Sequence, residues 1–182
     1  MPAQTDIIRK LSLATAIACI FALPEGAVSR NLFNNGDLQG AFVLSVDGTF
    51  VSPPPPFTGS VLPFKASQLG RLEFDGAGLA WGEATLTFHH PDIPFGVFSR
   101  KAYSGTYDLA PNGRAIINLD EFPLEVNGEP GTIRTGSIVL ECYVVRRHLQ
   151  LRCVLHTLIS YQQGPLPRNL PVTMSGSLQR QL

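Results

Sequence analysis

The sequence predicts an all-β protein: about eight antiparallel strands in an up-and-down meander that closes into a small, calycin-like β-barrel. Three observations predict it. Beyond the N-terminal region no segment carries a helical apolar stripe; short alternating stretches recur instead, separated by Gly, Pro, Asn and Asp. Parity along those stretches gives one apolar face throughout, and a sheet with one dry face must fold over it. Two cysteines near the C-terminus, Cys142 and Cys153, fall into the same register as that face.

Residues 1–29 read as a signal peptide. Arg9 and Lys10 form a short basic region, Leu11 to Leu23 is an uncharged apolar run, and Pro24 ends it. Ala27-Val28-Ser29 offers the small residues a signal peptidase reads, so cleavage is expected after Ser29. The run is shorter than the roughly 20 residues a membrane-spanning helix needs. Export follows, to the periplasm or the exterior, with no integral membrane segment in the mature chain. Cys19 leaves with the leader. Residues 30–182 then make a single domain of roughly 150 residues, enough to bury a core.

The first strand is Gly40 to Val46, ended by Asp47-Gly48. Gln68 to Phe74 and Leu79 to Phe88 flank the turn Asp75-Gly76-Ala77-Gly78. Arg100 to Leu109 and Arg114 to Asp120 flank Ala110-Pro111-Asn112-Gly113, where Pro111 presets φ and Gly113 suits a left-handed position. Thr135 to Val145 and Leu149 to Ile159 form a hairpin about Arg146-Arg147-His148. Folding it there sets Cys142 opposite Cys153, Val144 opposite Leu151 and Leu140 opposite Leu155. A one-residue slip would bury Glu141, Tyr143, Arg152 and His156 instead. A Cys142–Cys153 disulfide is therefore expected, as suits an exported chain. Val172 to Gln181 is the last strand. Glycines inside strands, such as Gly105 and Gly176, permit the coiling of a small barrel.

Leu72-Glu73-Phe74-Asp75-Gly76-Ala77-Gly78 with Gly82, then Tyr103-Ser104-Gly105-Thr106-Tyr107 with Asn112-Gly113, carry a resemblance. The pairing of an FDGxG hairpin with a YxGTY hairpin resembles a group of small exported bacterial proteins, lipocalin-like or similar to the allene oxide cyclase barrel. It spans roughly Gly40 to Gln181. The resemblance implies the barrel and brings no catalytic residue with it.

Charge is balanced, with 14 basic and 14 acidic residues, so no field exists to hold nucleic acid. His89-His90-Pro91-Asp92 is the best metal-like cluster, but adjacent histidines in an extended chain point apart. Neither metal nor cofactor is expected. Asp120 and Glu121 lie on opposite strand faces and make no carboxylate pair, and no serine sits in a nucleophile elbow. Val51 to Phe57, with four consecutive prolines, is polyproline II and reads as a stiff connection between the first two strands; the whole stretch Gly48 to Ala66, long for a hairpin loop, reads alternatively as a lid across one barrel end. Arg146-Arg147-His148 reads as a solvated turn in preference to an anion site. The preferred function is binding of a small apolar or amphipathic ligand in the barrel, with Phe42, Phe88, Tyr103 and Tyr107 as the contacting residues. A structural or protein-interaction module with a filled core is the alternative, and a cyclase- or isomerase-like enzyme comes third by fold analogy. Ligand identity and oligomeric state stay open.

Overall fold

The computed structural model describes residues 32–51, 63–88, 97–130, 136–160, 168–170 and 172–181. The expected leader with Cys19, the Pro53–Pro56 segment and the His89-His90-Pro91-Asp92 cluster lie outside the described residues. The strands are β1 (Gln39–Val51), β2 (Pro63–Asp75), β3 (Leu79–Phe88), β4 (Val97–Leu109) and β5 (Arg114–Val126). They continue with β6 (Glu129–Pro130), β7 (Gly136–Arg146), β8 (Gln150–Ser160), β9 (Arg168–Leu170) and β10 (Val172–Arg180).

Eight of these close into an antiparallel up-and-down barrel in the order β1-β2-β3-β4-β5-β7-β8-β10. Strand β10 makes the closure, pairing Met174 with Leu155 of β8 on one edge and with Gly48 of β1 on the other. The two short strands sit outside this circuit, β6 on β5 and β9 on β8. Alternation does the rest: Phe42, Leu44 and Val46 of β1 are buried while Val43 and Ser45 between them are not.

The expected strands are all present, and several run further than expected. β5 continues past Asp120 through Pro123 to Val126, although proline cannot donate to a ladder. A register shift between Arg100 and Lys101 absorbs it: Lys101 pairs with Pro123 while Arg100 pairs with Glu125, leaving Leu124 extra. Asn127, at φ 50°, and Gly128, at φ 91°, then make the left-handed two-residue turn into β6.

The Cys142–Cys153 hairpin has the expected register, with Val144 opposite Leu151 and Leu140 opposite Leu155. The cysteines are disulfide-bonded with Cα atoms 4.0 Å apart, and both are buried. The bond closes a short loop whose ends the ladder already holds.

Glycine is needed where strands approach most closely. A Cβ on Gly105 would collide with the carbonyl oxygen of Asn118 on β5, and one on Gly176 with that of Ser45 on β1. The obstacle in each case is backbone, which cannot swing aside.

The barrel has two rims. One gathers the turns β2–β3, β4–β5 and β7–β8 together with residues 32–38, which precede β1 and contain a single 3-10 turn, Asn35–Asp37. Leu38 enters the core from this segment at 1% exposure. This is the sealed rim; the opposite one, where β1 ends and β2 begins, is the far rim.

Gly176→Ala should destabilise the barrel by about 3 kcal/mol, the upper end of overpacking costs, because β1 and β10 must separate. Urea unfolding measures it. An unchanged midpoint would mean that the two strands are not so tightly apposed at the closure.

Candidate functional site

The barrel interior divides into a packed half and a polar half. In the packed half the rings of Phe42, Phe74 and Tyr107 meet edge to face, with centroids 5.3 and 5.0 Å apart. Phe42, Leu72, Ile117 and Leu178 are each 0% exposed, so no water-sized void touches them. The Tyr107 hydroxyl is committed to the segment before β1, reaching the carbonyl oxygens of Leu38 at 2.9 Å and Asn35 at 3.1 Å. The Asn35 side chain in turn accepts the Leu109 amide at 2.7 Å.

Asp37 locks this segment to the β7–β8 tip. Its carboxylate is buried and receives Arg147 Nε at 3.0 Å and the Asn34 amide at 3.0 Å, with His148 Nε2 at 3.3 Å. Burial alone would raise its pKa. The Arg147 and Asn34 hydrogen bonds and the Arg147 and His148 charges outweigh that and hold it below the ordinary value. Arg147 also lies over the Phe33 ring, 5.3 Å from its centroid. The Arg146-Arg147-His148 turn is therefore not simply solvated, as its sequence suggested. Its anion is supplied from within the chain, by an acidic residue too distant in sequence for spacing to reveal.

The polar half lies toward the far rim. Gln68 of β2 donates from Nε2 to the Tyr103 hydroxyl at 2.8 Å, and Tyr103 of β4 donates to Glu121 Oε1 of β5 at 3.1 Å. Lys101, two residues before Tyr103, donates from Nζ to Glu121 Oε2 at 3.0 Å. Gln68, Tyr103 and Glu121 are 3–4% exposed, and the Lys101 side chain is 13% exposed. Buried Ser99 continues the same face of β4. Ala84 and Leu86 on β3, Pro123 on β5 and Gly136, which pairs with Glu121, surround the cluster. Burial pushes the Tyr103 pKa well up, the Glu121 charge and hydrogen bond add to this, and Gln68 opposes it. Tyr103 therefore remains a hydrogen-bond donor at any ordinary pH.

Of the four residues expected to contact a ligand, the structure places Phe42 and Tyr107 in the packed half and Tyr103 in the polar half. Phe88 ends β3, its backbone paired with Ala66 and Val97 at the far rim. Sequence reasoning did not single out Gln68 and Lys101, and it weighed Glu121 only as a carboxylate pair with Asp120. The signal was present: each continues the inward parity of its strand, two or four residues beyond Leu72, Tyr103 and Leu119. Among the described residues no three His, Cys, Asp or Glu side chains converge on a metal-sized site. No helix of the described residues is long and apolar enough to cross a membrane. A shallow groove beside Asn34 and Pro111 lies on the outside of the sealed rim, remote from the polar cluster.

No protein-family model matches the chain, and no curated protein matches it.

Tyr107→Phe keeps the ring and removes both hydroxyl contacts, so it should cost about 1 kcal/mol. Tyr107→Ala should cost roughly 3–5 kcal/mol, because the stacked ring goes too. Thermal or urea unfolding separates the two.

A depressed carboxylate stabilises the fold fully above its unfolded pKa, about 3.9, and that contribution fades as pH falls toward the lower folded value. Asp37→Asn should therefore be less stable than the parent at neutral pH. The gap should narrow as acid unfolding is followed below about pH 4. A gap that stays constant down to low pH would remove Asp37 from the lock.

Proposed function

We propose that the barrel binds a small amphipathic molecule at the far rim. The polar end of that molecule meets Gln68, Tyr103, Glu121 and Lys101, and its apolar part lies against Ala84, Leu86 and Pro123. The observation that carries this is the ion pair of Glu121 and Lys101, buried inside the barrel. Moving two charges out of water costs several kcal/mol per ion, and apolar side chains of similar volume would hold the barrel equally well. A pair kept against that cost, with a tyrosine and an amide aligned on it, is arranged for recognition. The turn chemistry shared with lipocalin-like exported barrels supports the same reading, and the disulfide fits an oxidising, exported setting. The packed half favours a second reading, a protein that acts through its outer surface.

The test uses 1-N-phenylnaphthylamine as a fluorescent probe and decanol as a competitor. Removing one charge alone strands the other and should cost roughly 3–5 kcal/mol, so the informative variant is Glu121→Gln with Lys101→Met, which removes both. It should fold as the parent does and still take up the probe. Decanol displacement should weaken by about 1.5–3 kcal/mol, the loss of hydrogen bonds to charged groups. If the parent takes up no probe, the surface reading stands in place of this one.

A further inference from the structure

We propose that Lys101 captures a lipophilic aldehyde as an imine, so that the ligand's polar end is a carbonyl carbon held covalently on Nζ. This rests on the amphipathic-ligand reading above and assigns the ligand its reactive group.

The choice of residue carries the argument. The chain has 14 basic residues, of which Lys10, Lys65 and Lys101 are the lysines and the rest arginines. Among the described residues, Lys65 is exposed on β2 and Lys101 faces the interior. A fixed structural partner for buried Glu121 would be arginine, whose planar fork meets both carboxylate oxygens. Lysine makes a single 3.0 Å contact with Oε2, and Oε1 is left to Tyr103. What lysine offers in exchange is an amine that can lose its proton and act as a nucleophile. Arginine would hold the pair better; only lysine can react.

The neighbours supply what the reaction needs. Glu121 Oε2 accepts a proton from the Lys101 ammonium, leaving a free amine. The nitrogen lone pair attacks the aldehyde carbon, the C=O π pair moves to oxygen, and the resulting carbinolamine takes its proton from nitrogen. Glu121 then returns its proton to the hydroxyl as the C–O bond breaks, and water leaves. The sum is ammonium plus aldehyde giving protonated imine plus water, with no oxidant or reductant consumed. The iminium remains beside the Glu121 carboxylate, which serves as its counter-ion. Gln68 and the elevated titration of Tyr103 keep the Tyr103 O–H aimed at Oε1, so the counter-ion is held in place while Oε2 exchanges protons. Burial of the carboxylate limits the water that would hydrolyse the product.

The experiment incubates the whole folded protein with decanal and sodium cyanoborohydride at neutral pH, then locates the reduced adduct by peptide mass mapping. Lys65 is the internal reference. Lys101 should be alkylated at least about tenfold faster than Lys65, a small part of what a held orientation gives. Decanol should slow labelling at Lys101 and leave Lys65 unchanged. In Lys101→Arg, which keeps the positive charge beside Glu121, the adduct at that position should disappear while Lys65 still reacts. Equal labelling of the two lysines in the parent overturns the inference. If decanol still displaces the fluorescent probe in that case, the binding reading survives alone; if it does not, both fall together.

Discussion

Closure of the sheet through β10 is the constraint on which every other feature depends. An open meander of these strands would leave two unpaired edges and a dry face with nothing to cover it. With β10 bonded to both β1 and β8, every inward position faces another inward position across a shared interior. A shift of one residue anywhere on the circuit would exchange the two faces of a strand. The approach of Gly176 to the Ser45 carbonyl shows how tightly that last seam is drawn. An interior bounded by eight strands is just wide enough for side chains to fill, so small differences in their size decide whether space remains.

Those differences run along the barrel axis. Near the sealed rim the inward positions carry Phe42, Phe74, Tyr107 and Leu109, with Leu38 entering from the end. Toward the far rim Val46, Leu86, Ile138, Leu155 and Met174 share the interior with Ala66, Ala84, Ser99 and the hydrogen-bonded charges. Pro123 marks the change. Its missing N–H forces the bulge opposite Lys101, and that bulge keeps β5 in the barrel wall while the ladder partners shift by one. The polar cluster and the irregular backbone therefore coincide.

Most of the architecture was legible because barrel strands write their parity openly. The hairpin around Cys142 and Cys153 was fixed by two independent patterns, and the turns at Asp75 and Pro111 by residues with a backbone reason to be there. Three things were not legible. β5 reads as ending at Asp120, because Pro123 resembles a strand breaker unless a bulge is allowed. The 3-10 turn at Asn35–Asp37 is too short to leave a periodic trace, and its lock to Arg147 joins residues on opposite sides of the sequence. The Gln68, Lys101 and Glu121 cluster was missed because the inward face was traced through apolar residues alone, although the parity of these three also points inward. The resemblance by turn motifs informed the fold and was silent on this cluster, since none of its three residues lies within those motifs.

The chain enters the barrel at Gln39 and leaves it at Arg180 on one and the same rim, the strands there being paired through Phe42. Whatever is joined to either end is thus tethered at the pole opposite the Glu121 cluster. Attachment to a surface, a label or a fused partner through that pole leaves the other pointing outward. A protein immobilised through that pole presents the rim nearest Glu121 to the surroundings.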